Sequence, residues 1–331
     1  MLTLKKQPDR DFLVLNLTDP QLDNEEWAEG TRHRRILEHT LAELVERVKP
    51  DLITVSGDIS WAGEHDAYKH FADLIDSYQI PWAPVWGNHD DQGGPEEINY
   101  VVDLFTSYAN CIYEKGDPAM GNGNYIIRIE ENGKPVSALV MIDSHDHSPW
   151  VNPQGETERE WAKLDPVQLV WYREQIEALK AEGCEDSAII LHIPIYAYRE
   201  AAAAAFREGF DLKAIKPEES FGHACWNAGY EDSFGVMYEG ICSYPEDEGM
   251  MDLICELGST RHVVCGHDHV NSFVINYRGV KLIYGLKTGI GCYANDLLNG
   301  GTVLRIGSKG ICEVRHESVD YPADCVVSEE K

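Results

Sequence analysis

Positive charge is scarce in this chain. Its 331 residues include 28 Lys and Arg against 57 Asp and Glu, a formal net charge of −29 at pH 7. Binding to duplex nucleic acid or an anionic bilayer needs clustered Lys and Arg, so neither is expected as a partner. Apolar runs such as Ser187 to Ile195 fall far short of the ~20 residues a membrane-spanning helix requires. The stretch from Met1 to Arg10 has no apolar segment with a small-residue cleavage site, as a secretory leader would. Cysteine is present but unpatterned: nine residues, an odd number, scattered from Cys111 to Cys325 with no C-x-x-C pair. That excludes a disulfide framework and a zinc knuckle, and leads us to expect reduced thiols in the cytoplasm. Internal repeats and low-complexity linkers are also missing. What remains is ordinary for a globular protein, with 43% hydrophobic and 26% charged residues. The acidic excess is therefore expected to be a solvated surface that maintains solubility.

The first third alternates strand and helix patterns. Phe12 to Leu17 reads as a buried strand. From Thr31 to Val48, the residues Ile36, Leu37, Leu41, Leu44, Val45 and Val48 recur at helical spacing, and Pro50 closes the run. Leu52 to Val55 is a second strand, Glu64 to Tyr78 a second helix, and Pro84 to Trp86 a short third strand. This order implies parallel strands with helices packed outside them. Asn124 to Glu130 and Val136 to Asp143 predict a hairpin through Glu131-Asn132-Gly133-Lys134. Leu164 to Ala181 reads as a helix and Ala188 to His192 as a strand. Periodicity then weakens from Tyr196 to Gly249, where an Ala-rich helix (Ala201 to Phe206) precedes loop-like sequence with several aromatics. We expect a lid or insertion there, at about 196–249, within a single domain spanning 1–331. Strands return at His262–Cys265, Ser272–Tyr277, Val280–Tyr284, Thr302–Ile306 and Ile311–Arg315.

Five short segments place metal-ligand side chains directly after a predicted strand: Asp19-Pro20-Gln21, Gly57-Asp58, Gly87-Asn88-His89-Asp90, His192, and Gly266-His267-Asp268-His269. In open α/β sheets, ligand sites gather beyond the carboxyl ends of strands, so segments distant in sequence can converge. Carboxylates, imidazoles and an amide oxygen without cysteine suit Mn, Fe, Zn or Co, and a pair of such ions requires a bridging anion with several ligands each.

In this order and with these elements before them, the segments resemble the motif series of the calcineurin-like metallophosphoesterase superfamily, D-x-H, G-D, G-N-H-[DE], H and G-H-x-H. The resemblance runs from about Phe12 to Tyr293. It is nearest to the purple-acid-phosphatase-like branch lacking the tyrosine iron ligand, through Gly266-His267-Asp268-His269-Val270-Asn271, Tyr284-Gly285 and Gly289-Ile290-Gly291-Cys292-Tyr293, and Trp61 stands where that tyrosine would be. It implies an α/β fold, a four-layer αββα sandwich. It also implies two divalent ions bridged by Asp58, the first taking Asp19 and His269 as well, the second Asn88, His192 and His267. His89 would contact the phosphate and protonate the leaving alkoxide, oriented by a carboxylate–imidazole bond from Asp90. The chain departs from the pattern at Gln21, where the first motif ends in His; an amide oxygen is a weaker and harder ligand, favouring Mn or Mg over Zn at the first site. His33 is nearby in sequence but reads as a solvated histidine.

His145, after the Met141-Ile142-Asp143 strand, and Tyr293, after a later strand, are further candidates for facing substrate, beside Asn88 and His89. The implied activity is hydrolysis of a small phosphomonoester or phosphodiester. Two alternatives stand beside it: a non-catalytic interaction scaffold on the same fold, suggested by Gln21, and a nuclease, disfavoured by the acidic balance. If the substrate is a small anion drawn in against a negative field, raising ionic strength screens the repulsion. KM for a small phosphoester should then stay level or fall on moving from about 0.05 to about 0.5 M salt. A rise in KM would show a locally attractive field instead.

Overall fold

The computed structural model describes residues 1–326. Its strands in chain order are β1 (Leu2–Lys6), β2 (Phe12–Leu17), β3 (Leu52–Ser56), β4 (Trp82–Val85), β5 (Tyr125–Glu131), β6 (Lys134–Met141), β7 (His147–Val151), β8 (Thr157–Trp161), β9 (Ser187–Ile190), β10 (Thr260–Cys265), β11 (Val274–Tyr277), β12 (Val280–Tyr284), β13 (Gly300–Gly307) and β14 (Gly310–Ser318). The helices are α1 (Arg32–Val48), α2 (His65–Asp76), α3 (Asn88–Asp91), α4 (Pro95–Thr106), α5 (Pro166–Ala181), α6 (Ala197–Ala205) and α7 (Met250–Leu257).

Two sheets carry the fold. One has seven strands in the order β1-β5-β6-β9-β10-β12-β11, the other five in the order β14-β13-β2-β3-β4. Their inner faces meet in a core built from Phe12, Val14, Val85, Ile127, Met141, Ile190, Val264 and Ile283 among others. The outer face of the five-stranded sheet packs on α1, α2 and α4 through residues such as Leu15, Val55, Leu41, Phe71 and Phe105. The outer face of the seven-stranded sheet packs on α5, α6 and α7 through Ile189, Val263, Ile176, Tyr198 and Ile254. This is the expected four-layer αββα arrangement. Because both faces are covered, central strands read as continuous apolar runs whose alternate residues enter different cores. Phe12 and Val14 join the inner core while Leu15 and Leu17 join the outer one.

Element boundaries fall within a few residues of the expectations, and Trp82 and Trp86 are buried as core residues. Periodicity in the sequence does not mark β1, α4, α7 or the β7–β8 hairpin. The last is short, half-exposed and paired only with itself, so neither strand has a buried face to give it a pattern. Within 196–249, α6 belongs to the outer helical layer. Tyr198 is fully buried and its hydroxyl donates to the carbonyls of Val263 and Ile283 at 2.8 and 3.1 Å. The loop that follows is tied to the sheet by bridges between Phe234 and Val274 and between Met237 and Asn271. All nine cysteines are free thiols, and no helix among the described residues is long and apolar enough to cross a membrane.

Gly235 secures this attachment. Its φ is 85°, and a Cβ there would overlap the carbonyl of Ser272. Gly235→Ala combines a left-handed backbone penalty with backbone overlap, so we expect a loss of about 2–4 kcal/mol in stability. Urea unfolding measures it; an unchanged midpoint would mean the loop is not held against the sheet as described.

Candidate metal centre

The strand order determines where the polar residues gather. β2, β3 and β4 run parallel in one sheet, and β6, β9, β10 and β12 run parallel in the other. Asp19, Asp58 and Asn88 follow the carboxyl ends of the first three strands; His192, His267 and His269 follow those of β9 and β10. All six are buried. They form two groups able to hold a cation: Asp58, His192 and His267, with ligand atoms within 4.8 Å of one another, and Asp19, Asp58 and His269, likewise within 4.8 Å. Asp58 belongs to both. Asn88 joins the first group, its Oδ1 3.1 Å from His192 Nε2.

Local backbone geometry supports this convergence. Asp19, Gln21, Asp58 and His267 all have positive φ, from 43° to 78°. Non-glycine residues seldom adopt this region, and it is enriched where function imposes a conformation. Gly57 permits the tight turn before Asp58 with φ 82°, and a Cβ at Gly87 would overlap the Asp58 carboxylate.

Two of the imidazoles are oriented from behind. His192 Nδ1 donates to the Ser56 carbonyl at 2.9 Å, and His269 Nδ1 to the Tyr293 carbonyl at 2.9 Å. Each bond leaves Nε2 facing the centre, as a metal-ligating histidine requires. Nε2 of His192 is 3.3 Å from Asp58 Oδ2 and that of His269 is 3.5 Å from Asp19 Oδ1. His267 donates from its backbone N–H to the Asp19 carboxylate at 3.2 Å, while its buried Nε2 has no partner. Aromatic rings brace the same histidines: Tyr293 stacks on His269 with centroids 4.2 Å apart, and Trp161 meets His267 edge-on at 4.3 Å.

The charges fit a cation. Burial alone would raise the Asp19 carboxyl, but the bond from His269 and the charges of His192 and Lys287 outweigh it and hold Asp19 low. Asp58 is likewise held low despite burial, chiefly by His192. Burial opposes the charged form of His192, yet Asp58 and then Asp19 raise it to about 10. His267 is lowered to about 3 by burial and the His192 charge, so it stands neutral and ready to ligate. Gln21 is fully buried, with neither side-chain atom hydrogen-bonded. An unpaired buried amide costs about 1–3 kcal/mol, and an amide oxygen and a free imidazole nitrogen are the kind of orphans a cation would satisfy.

The expectation for Asp90 is corrected. Its carboxylate does not meet His89. It accepts from the backbone N–H groups of Gly87 at 2.8 Å, Ile59 at 3.0 Å and Ser60 at 3.3 Å, and from the Tyr68 hydroxyl at 2.8 Å. Asp90 lies at the third position of the α3 turn, where the side chain points back to the helix start and caps it. The partner of His89 is Gln92, whose Oε1 is 3.0 Å from Nδ1, while the Trp61 ring packs at 4.1 Å. His145 lies outside the two ligand groups; its Nε2 pairs with Gln168 Oε1 at 3.0 Å. Tyr293 is at the rim, 43% exposed, with its hydroxyl 3.0 Å from both Glu239 oxygens. His33 pairs with Glu26 at 3.2 Å and belongs to neither ligand group.

Trp161, Gln92, Glu239 and Lys287 were missed by sequence reasoning. Lys287 is buried, and its ammonium donates to the Asp19 carbonyl at 2.6 Å. Burial lowers it to about 8 against the pull of Asp19. A lysine two residues before Gly289 carries no motif; the sole available signal was its place after a strand, shared with the other site segments.

Comparison with known proteins agrees with this geometry. The family model described as calcineurin-like phosphoesterase matches residues 12–271. Among curated relatives, "Probable inactive purple acid phosphatase 28" of Arabidopsis thaliana is 27% identical over 279 residues, 76% of this chain and 62% of that protein. "Phosphatase DCR2" of Saccharomyces cerevisiae is 26% identical over 285 residues, 80% of this chain and 44% of that protein. The chain thus spans less than two thirds of the length of these relatives. A solved dimetal phosphatase from Danio rerio shares the fold, with a TM-score of 0.57 and 13% identity over 95% of this chain and 100% of that one.

Metal binding should be proton-linked. His192 retains its proton up to about 10 without a cation, so ligation through Nε2 must release it. Affinity for Mn should therefore rise by about tenfold per pH unit between about pH 6 and 8, with about one proton released at the His192 group. Calorimetry in buffers of different ionisation enthalpy reads this directly. Pairing pH-independent affinity with no proton release would remove His192 from the ligand set.

Proposed function

The chain belongs to the calcineurin-like phosphoesterase family, and from that premise we propose that it hydrolyses small phosphomonoesters or phosphodiesters using two divalent ions, Mn, Fe or Zn. The observation that carries this reading is the sharing of Asp58 between two buried ligand groups. Asp58 would bridge the ions. Asp19 and His269, with Gln21, would complete the first site, and Asn88, His192 and His267 the second. Ions bound there would hold phosphate oxygens, offset charge in the transition state and make hydroxide available near neutral pH.

The chain's own groups do the rest. His89 sits on the turn that also supplies Asn88, and its backbone N–H donates to Asp58 Oδ1 at 3.0 Å, so the acid and the bridging carboxylate are positioned together. With Nδ1 on Gln92 and its ring against Trp61, His89 has Nε2 left for the substrate. As the phosphorus–oxygen bond to the alcohol breaks, His89 donates a proton to the departing alkoxide. No serine or cysteine nucleophile is needed. Asp90 acts through the backbone, by holding the turn that presents Asn88 and His89.

One observation favours a second reading, a non-catalytic scaffold. Gln21 replaces the usual histidine, and the Arabidopsis relatives bear the word inactive in their names. A nuclease is disfavoured by 28 basic against 57 acidic residues.

The readings separate experimentally. The Mn-loaded chain should hydrolyse an aryl phosphate mono- or diester, and His89→Ala should lower kcat by about 10²–10⁴-fold at unchanged metal content. Absence of hydrolysis from wild type and variant alike would favour the scaffold. Gln21→His should tighten the first ion; unchanged affinity would show that Gln21 is not a ligand.

A further inference from the structure

Two lysines are buried among the described residues, Lys6 and Lys287, and they are held differently. Lys6 pairs with the Glu131 carboxylate at 2.7 Å. Lys287 is 1% exposed and has no carboxylate partner; its ammonium donates to the backbone carbonyl of Asp19 at 2.6 Å. A buried charge without an ion pair is costly, so its position calls for a reason. The segment that carries it is fixed against the first ligand motif. The Thr288 N–H donates to the Thr18 carbonyl at 2.9 Å, and the Thr18 N–H donates to Thr288 Oγ1 at 3.2 Å. A Cβ at Gly291 would overlap the carbonyls of Pro20 and Gln21. The ammonium is thus delivered to the loop that carries Asp19 and Gln21.

Covalent geometry bounds its distance from the first ligand group. Within one aspartate the backbone carbonyl oxygen and the carboxyl carbon are at most about 5 Å apart. Together with the 2.6 Å bond, this places the ammonium within about 8 Å of the Asp19 carboxyl. In a buried setting, a unit positive charge at that range acts strongly against a dication held by the same carboxyl. The first group has two carboxylates, Asp19 and Asp58, while the second has Asp58 alone. By carboxylates only, the first would be the stronger cation site. The charge of Lys287 offsets the additional carboxylate, so the difference falls to donor type. The first group has one imidazole, His269, beside the Gln21 amide; the second has two, His192 and His267, beside the Asn88 amide. Imidazole is the better ligand for Mn, Fe or Zn.

We propose that Lys287 sets the metal affinity of the first group and makes it the weaker of the two, so that the pair of cations is complete only when free metal is plentiful. This rests on the two-ion reading above. The chain then responds to metal supply at one of its two positions, and Lys287 fixes the threshold.

Calorimetric titration of the full chain with Mn at pH 7 tests this. The wild type should bind two Mn in phases separated by at least about tenfold in Kd. Asp19→Asn, which alters a member of the first group alone, should remove the weaker phase and thereby assign it. Lys287→Met, and independently Lys287→Gln, should tighten the weaker phase by at least about tenfold and the other by less. Two variants guard against one that fails to fold, and Gln keeps a donor for the Asp19 carbonyl. The direction of the change is decisive, because a lysine that only held the Asp19 loop in place would, on removal, weaken the first site. Equal wild-type affinities, loss of the tighter phase in Asp19→Asn, or unchanged or weaker binding in both Lys287 variants would overturn the role of Lys287 and leave the two-ion reading standing. Binding of fewer than two Mn at millimolar metal, by the wild type and both Lys287 variants, would overturn the two-ion reading and this inference with it.

Discussion

Asp58 imposes the constraint on which the rest of the structure depends, because one buried carboxylate has to serve two ligand groups. To do so it must stand where the two sheets come together, on a backbone with φ 47°. The carboxyl end of β3 places it there, and Gly57 and Gly87 clear the space around it, since a Cβ on either would strike His192 or Asp58 itself. Two like charges, Asp19 and Asp58, are thereby held in a fully buried setting. Without a cation the site compensates by keeping His192 protonated. A dication group in place of that proton satisfies the same field, and this is why such a centre can be both buried and strongly charged.

Around that carboxylate, positions are fixed by groups that never reach the centre. The carbonyls of Ser56 and Tyr293 choose the tautomers of His192 and His269. Trp61, Trp161 and Tyr293 each pack against one histidine and restrict its ring. These braces come from loops of both sheets and from the β7–β8 hairpin. The hairpin is in turn joined to the 240s loop, with Trp150 Nε1 donating to Glu246 at 3.0 Å. The segment 196–249 therefore touches the site through its far end, by Glu239 and Cys242, while its helix is part of the outer layer.

Two residues show how chemistry at a motif can differ from its pattern. Asp90 matches the family motif by letter, but four donors already occupy its carboxylate, so its influence on His89 passes through the backbone of α3. Gln21 departs from the motif by letter, yet its side chain is buried with both polar atoms free, which leaves it suited to a cation. Letter identity and physical role are separate questions, and burial with hydrogen-bond satisfaction is what distinguishes them.

How much of this was legible in advance follows from the range of the forces involved. The alternation of buried strands and amphipathic helices is written locally, in runs such as Leu52 to Val55 and the stripe from Ile36 to Val48, so parallel strands with helices outside them were readable from the chain, while the four-layer sandwich followed from the resemblance of the motif series. Strand-end chemistry is also local, and the positions of Asp19, Asp58, Asn88, His192, His267 and His269 after their strands were readable with it. Contacts between segments far apart in the chain leave no periodic trace. Trp161 against His267, Lys287 beneath Asp19, Gln92 on His89 and the four donors around Asp90 depend on loop paths and rotamers chosen when two sheets close on each other. The sequence by itself determined which elements form and which ligand types they carry. The tertiary structure alone decided which side chains meet, because hydrogen bonds and ring contacts are settled over a few ångströms, after packing has brought those segments together.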